Sequence, residues 1–348
     1  MNETIINDIR KSKDFSGITF SKFKKSEVKK ALISSINNNK IEDANNWSTE
    51  LICAGHYSEL WDIILLVISK YIHLANPKLP IYIDMRFNEF KNILLTSYLN
   101  NELEMRNNDK IRYIFTEVIT ILSLSNKKPS FEKVKIKKEE FDLINLRERL
   151  KADSIDYGKI VLRENDPKEI IIAVNELYYH INKKNIQQCY YWIEWIVEFD
   201  LICRKNKRKI NLDIRAFPNV DTKFKYDTIW IVWEIILIES EKNEILKKII
   251  KSLLSLFSLK YTNSIPRKRI YILYFAFELL LECYNYDLQV ISNKEILKTV
   301  LKKKDILYKN VKKNEDAPKT DYLFKNLNEK SNIEKTNMKL EIINSIKF

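Results

Sequence analysis

Only three glycines, Gly17, Gly55 and Gly158, occur in 348 residues. An average chain carries roughly 7% glycine, about eight times as many. Glycine supplies the positive φ of tight turns and lets backbone approach a phosphate closely. A chain this poor in it holds no glycine-rich phosphate loop, no dinucleotide fingerprint and no run of hairpins. Histidine is equally scarce: His56, His73 and His180 are the whole set, and no HExxH occurs. The four cysteines, Cys53, Cys189, Cys203 and Cys283, form no CxxC and lie in or at the end of apolar helical runs. That placement predicts buried free thiols in a reducing compartment. Long hydrophobic runs are also missing. The longest are Ile63–Ile68, Ile229–Ile238 and Ile270–Leu281, the last two interrupted by Glu234 and Glu278. All are too short to span a bilayer and predict core helices instead. The opening MNETIINDIRKSKDF is polar and lacks the apolar stretch of a secretory signal. The expectation is a soluble, intracellular chain with no cofactor and no metal.

What is present is apolar and basic. Hydrophobic residues make up 45% and aromatics 11%, enough for a large core rather than a disordered chain. Lys and Arg number 60 against 47 Asp and Glu, a net charge of +13. Such a balance suits a polyanionic partner, nucleic acid or a membrane surface. It equally suits AT-rich codons, which favour Lys, Asn and Ile and display lysine on a solvated face.

Helical periodicity divides the chain. After an N-terminal arm (1–20), a first unit (21–125) shows five amphipathic stretches. They run near Ser26–Ile36, Ile41–Ala54, Tyr57–Leu74, Asp84–Leu99 and Asp109–Leu124. Gly55 is placed to end the second, and Asn76-Pro77 with Pro80 to stop the third. The third is apolar nearly all round and reads as the central helix. A charged connector (126–166) follows, with a sparse stripe predicting a helix over Phe131–Leu150 and a hinge elsewhere. Asn165-Asp166-Pro167-Lys168-Glu169 signals a helix start, with Asp166 as cap. The second unit (167–292) then partly repeats the first. At one constant offset Ile36 matches Ile181, Ile41 matches Ile186, Ala44 matches Cys189, Trp47 matches Trp192 and Leu51 matches Ile196. The turn Asn37–Lys40 falls on Asn182–Asn185. The fold expected is all-α: two related five-helix bundle units, as in solenoid-like or cyclin-like repeats. A basic insertion (204–227) interrupts the second unit. A lysine-rich C-terminal helix and tail (293–348) closes the chain, with a weak stripe of Leu340, Ile343 and Ile346.

Candidate chemistry is thin. His56 and Glu59 form one HxxE pair with Glu50 a helix earlier, half of a di-metal pattern in the wrong order. Asp62, Glu117, Glu194, Glu234 and Glu278 sit within apolar helices. Such carboxylates mark a site, a solvent edge, or a lysine met across a packing seam. Tyr190-Tyr191-Trp192 has the composition of a base-stacking platform, yet its rings continue the core stripe. The direct functional signal is basic. Arg204, Lys205, Lys207, Arg208 and Lys209 cluster in six residues, and Arg267, Lys268 and Arg269 open a later helix. Together they make a candidate phosphate-binding patch, or else a solvated turn or a nuclear-import-type address.

The stretch IEDANNWSTELICAGHYSELWD (41–62), followed by HLANPKLP (73–80), resembles a helical family of giant nucleocytoplasmic large DNA viruses. That resemblance covers about the first third of the chain and brings no catalytic residues. It implies a viral setting, in the host cytoplasm (viral factory) or the virion. The expected function is a non-enzymatic interaction or scaffold protein that joins a protein assembly. The alternative is a nucleic-acid-binding subunit of a viral replication or transcription complex. An enzyme with a buried Glu/His site is a third class.

Overall fold

Asparagine and lysine do much of the turning that glycine does elsewhere, and the elements they join are helices. The computed structural model describes residues 4–316 apart from 100, 209 and 211, together with 336, 337 and 339–341. Among the described residues there is no strand, only a bridge between Ile18 and Lys24. Helices of nine or more residues are α1 (Lys25–Asn37), α2 (Ile41–Cys53), α3 (Tyr57–Leu66), α4 (Leu79–Ser97), α5 (Asp109–Leu124), α6 (Lys168–Asn182), α7 (Ile186–Lys205), α8 (Ile229–Ser240), α9 (Glu244–Phe257), α10 (Ile270–Leu281), α11 (Lys294–Lys302) and α12 (Lys304–Lys312).

Four helix starts use an asparagine side chain as acceptor for otherwise orphaned N–H groups: Asn108 for α5, Asn185 for α7, Asn243 for α9 and Asn293 for α11. The ends are closed by left-handed residues. Asn39 (φ 56°) ends α1, and Lys40 N–H donates to Ser35 O at 2.9 Å. Lys184 (φ 53°) ends α6, and Asn185 N–H donates to His180 O at 2.9 Å. The two matched turns thus share one closure, the Schellman pattern. Gly55 (φ 78°) ends α2 in the same way, as expected, and Lys207 (φ 54°) ends α7. A left-handed lysine is strained by its Cβ. Lys207→Gly is therefore expected to raise stability by about 0.5–1 kcal/mol, once the extra backbone entropy of glycine is deducted. Urea unfolding checks this, and a loss of stability would contradict the strain argument.

Several boundaries differ from the sequence reading. After Leu66 the third helix widens into a π-helical segment, Val67–Ile72, and ends in a 3₁₀ turn, His73–Ala75. Pro80 does not stop a helix but begins one. In the first turn of α4 its missing N–H has no helical partner to lose, so α4 starts at Leu79 rather than Asp84. No helix spans 131–150. Residues 126–137 run without helical hydrogen bonds and three short turns follow. Ser130 N–H is taken by Lys70 O (2.8 Å), and Val134 N–H donates to the Tyr274 hydroxyl (3.3 Å). These tertiary partners replace the ones a helix would have supplied. The segment read as a helix is instead a packed strap, with Val134, Ile136 and Phe141 against the core, and Tyr157 of the part read as a hinge packs there too. Gly158 allows this. A Cβ there would lie 3.2 Å from Val174 Cγ1 and 3.0 Å from Leu162 Cδ1. Asp166 does not cap α6. Its carboxylate accepts from the N–H groups of Arg163 and Asp213 and from Arg215. Cys53, Cys189 and Cys203 are buried as expected, whereas Cys283 is exposed just beyond α10.

The core is continuous across the two halves. In the first, α5 packs on α1, α2 and α4. In the second, α6 packs on α7, and α8, α9 and α10 contact one another in part through α10. The seam between them is made by α10 on α3 and its π-helical extension, and by α9 on α4. Helices α11 and α12 return to the first half and pack on α5 and α2. They carry the fully buried Tyr308, over which Arg112 stacks at 4.0 Å. The N-terminal arm is bound too. Arg10 lies between the rings of Phe15 and Phe20 (4.8 and 4.7 Å), and Asn107 clamps both backbone groups of Ile6. Of the tail stripe, Leu340 is described and exposed, while Ile343 and Ile346 lie outside the described residues.

Candidate functional site

The basic residues singled out in the sequence are mostly occupied within the protein. Arg204 donates to Asp200 (Nε, 2.6 Å) and to Asp227 (Nη2, 2.8 Å). Arg208 pairs with Glu169. Arg267 lies 3.4 Å from Glu198, and Lys268 pairs with Asp62 at 2.6 Å. Arg269 is buried and does not present itself to a phosphate. Its Nη1 donates to the carbonyls of Phe257 (2.8 Å) and Leu259 (2.7 Å), closing the end of α9, while Nη2 reaches Asp62. Lys205 and Lys207 are exposed and make no ion pair among the described residues; Lys209 lies outside them. The two clusters do approach, since Arg267 lines one small hollow with Asp200 and Asp227. The carboxylates between them neutralise it.

The histidines and core carboxylates act as clasps between elements. His56 Nε2 lies 2.8 Å from Ile18 O, while Glu59 takes Lys25 and Glu50 takes Ser21. The HxxE pair is thus divided between two structural contacts. His180 stands 3.7 Å from Glu176, whose carboxylate accepts the N–H groups of Lys151 and Ala152. Glu117 holds Arg86 at 2.7 Å. Asp62 meets Lys268 across the seam, as one of the sequence readings proposed. Among the described residues no three His, Cys, Asp or Glu side chains gather as a metal site. Tyr190, Tyr191 and Trp192 are all buried, so the platform is core.

At the centre of the seam the clasps join into one network. His73, at φ 52°, places Nδ1 3.1 Å from Glu278 Oε2, and the Tyr190 hydroxyl donates to Glu278 Oε1. The Tyr190 ring stacks on Tyr274 at 3.9 Å. The Tyr274 hydroxyl donates to Glu194 Oε1 (3.0 Å), and Lys133 of the strap approaches Glu194 Oε2 (3.3 Å). Burial pushes the Glu194 carboxyl up to about 7, against the opposing pull of Lys133 and Tyr274. Every member but Lys133 is closed off from solvent. The arrangement links α7, α10, the strap and the end of the α3 extension, and presents no reacting atom to a substrate.

An accessible candidate site lies elsewhere, in a groove the sequence did not point to. Helix α4 buries only Leu79, Pro80, Ile83 and Phe90 of its 19 residues. Met85 and Leu95 are each 52% exposed. Beside α4 opens a hollow of about 490 Å³, floored by Tyr57, Trp61, Phe87 and Phe90 and closed on the far side by the 259–269 turn. Trp61 meets Phe87 edge-on at 5.0 Å and Phe90 at 5.6 Å, so the floor is rigid aromatic packing. A second, more polar hollow of about 370 Å³ shares Lys91, Leu259 and Lys260 with the first and adds Lys251 of α9. The one local signal was the excess of apolar residues on α4, more than a single buried face needs. Which of them stay uncovered depends on where α9 lies.

Comparison of the chain with protein-family models, curated proteins and solved structures finds no match. No helix among the described residues is long and apolar enough to cross a membrane.

Proposed function

We propose that the protein is a non-enzymatic interaction subunit that holds a partner in the groove between α4 and the 259–269 turn. The observation that carries this reading is the aromatic hollow of about 490 Å³, on whose wall Leu95 stands 52% exposed. An apolar concavity continuous with uncovered apolar side chains is where a soluble chain binds others. The buried His and Glu residues add weight, because each is engaged in holding elements together. The paired state of Arg204, Arg208, Lys268 and Arg269 speaks against the nucleic-acid alternative, which needs unpaired clustered cations. The equivalent turns at Asn39 and Lys184 support descent of the two halves from one helical unit. The resemblance of residues 41–80 supports a large-virus setting.

Leu95→Glu tests the reading. The side chain is half-exposed, so the fold should change by no more than about 0.5 kcal/mol. Wild-type protein from native lysate should migrate in a complex, and the variant should release the partner with an unchanged melting temperature. A wild-type protein that runs alone, or a complex indifferent to Leu95→Glu, would overturn it.

A further inference from the structure

Resting on the docking reading above, we infer that the partner enters this groove as an acidic amphipathic helix. The argument is the charge of the rim. Lys91, Lys251 and Lys260 are exposed and make no ion pair among the described residues, in contrast to the cations of the two sequence clusters. Two of them, Lys91 and Lys260, stand on the wall common to both hollows. The carboxylates on the same lining do not cancel them. Asp62 is already engaged by Lys268 and Arg269, which leaves Glu102. Lys260 is moreover held at φ 44°, a left-handed conformation unfavourable for lysine, so the turn keeps a cation at the groove edge at some local cost.

The apolar floor requires apolar anchors, and the rim requires negative charge beside them. A helix meets both demands with one surface: anchors at i, i+3, i+4 and i+7, and Asp or Glu flanking them. The part of α4 that lines the hollow, from Phe87 to Leu95, is about 12 Å long, enough for roughly two turns of such a helix. The unpaired lysines would act mainly on association rate and on choice of partner, and their effect should fade with salt.

The test is a selection of displayed random peptides about 16 residues long (~24 Å as helix) on the full-length protein. Synthetic copies of the enriched peptides are then titrated. Expected are peptides with helical apolar spacing and net negative charge. Their affinity should fall at least about tenfold in Leu95→Glu and in the double variant Lys91→Glu/Lys260→Glu. It should also weaken from about 0.05 to about 0.5 M salt. Lys91→Gln/Lys260→Gln, with a smaller loss, guards against a folding defect in the reversed pair. Neutral or basic peptides that need Leu95 but ignore the lysines would overturn the acidic helix and leave the docking reading standing. Peptides indifferent to Leu95, or none at all, would overturn both. Competition at the lysines by single-stranded DNA as strong as by the peptides would assign the rim to nucleic acid and overturn the inference.

Discussion

Arg215→Ala is expected to lower the unfolding free energy by about 3–5 kcal/mol, the range for breaking a buried ion pair from one side. The guanidinium has five N–H donors, and all five find acceptors. Nη1 donates to Asp166 Oδ1 (2.8 Å) and Asp213 O (2.7 Å), Nη2 to Asp166 Oδ2 (2.7 Å) and Val161 O (2.9 Å), and Nε to Glu234 Oε2 (2.7 Å). The Arg215 and Asp166 side chains are fully buried. Burial alone would raise the Asp166 carboxyl. The bond from Arg215 and the N–H groups of Arg163 and Asp213 outweigh it and hold the group below its ordinary range. Truncating Arg215 leaves that carboxylate without its cation and frees the 204–227 insertion from α6 and α8. Urea unfolding measures the loss. The double variant Arg215→Ala/Asp166→Ala should cost less than the sum of the singles, because the orphaned charge is removed with its partner. Strict additivity would contradict the clasp.

Glu194→Gln should change how stability depends on pH. In the folded chain the Glu194 carboxyl titrates at about 7; in the unfolded chain it titrates at about 4.3. Between those values the folded state binds the extra proton. The contribution of this group is therefore fully present below about pH 4.3 and is lost as pH rises through 7. Glutamine cannot ionise and escapes the loss. From pH 5 to pH 8 the unfolding free energy of Glu194→Gln should gain about 2–3 kcal/mol relative to wild type. His56 and His180, which burial pushes down, titrate with the opposite sign, but both proteins carry them and the difference cancels. A difference that stays flat, or falls with pH, would show that Glu194 is not held protonated in the core.

How legible the fold was depends on the range of the forces involved. Helix α5 was read as Asp109–Leu124 and is found there, because Asn108 caps it and its apolar stripe is uninterrupted. The start of α4 was misplaced because Pro80 is ambiguous alone: it stops one helix or begins another according to its neighbours. The strap at 130–137 failed as a helix because the acceptors of Ser130 and Val134, Lys70 O and the Tyr274 hydroxyl, are distant in the chain. The basic clusters were visible as composition, but their neutralisation was not. Arg204 meets Asp227, Arg208 meets Glu169 and Lys268 meets Asp62, all pairings between separate elements.

By itself, then, the sequence determined the material and its punctuation: an all-helical chain, turned by asparagine and lysine at positive φ where glycine is scarce. Those are local matters, decided by hydrogen bonds within one turn and by sterics at one residue. Only the tertiary structure decided which charges are satisfied and which surface is left open. Ion pairing and groove formation depend on elements far apart in the chain, and periodicity carries no record of which helix will stand beside which. The packing of α9 on α4 leaves the aromatic hollow, and with it Lys91, Lys251 and Lys260 remain as cations without an internal partner among the described residues.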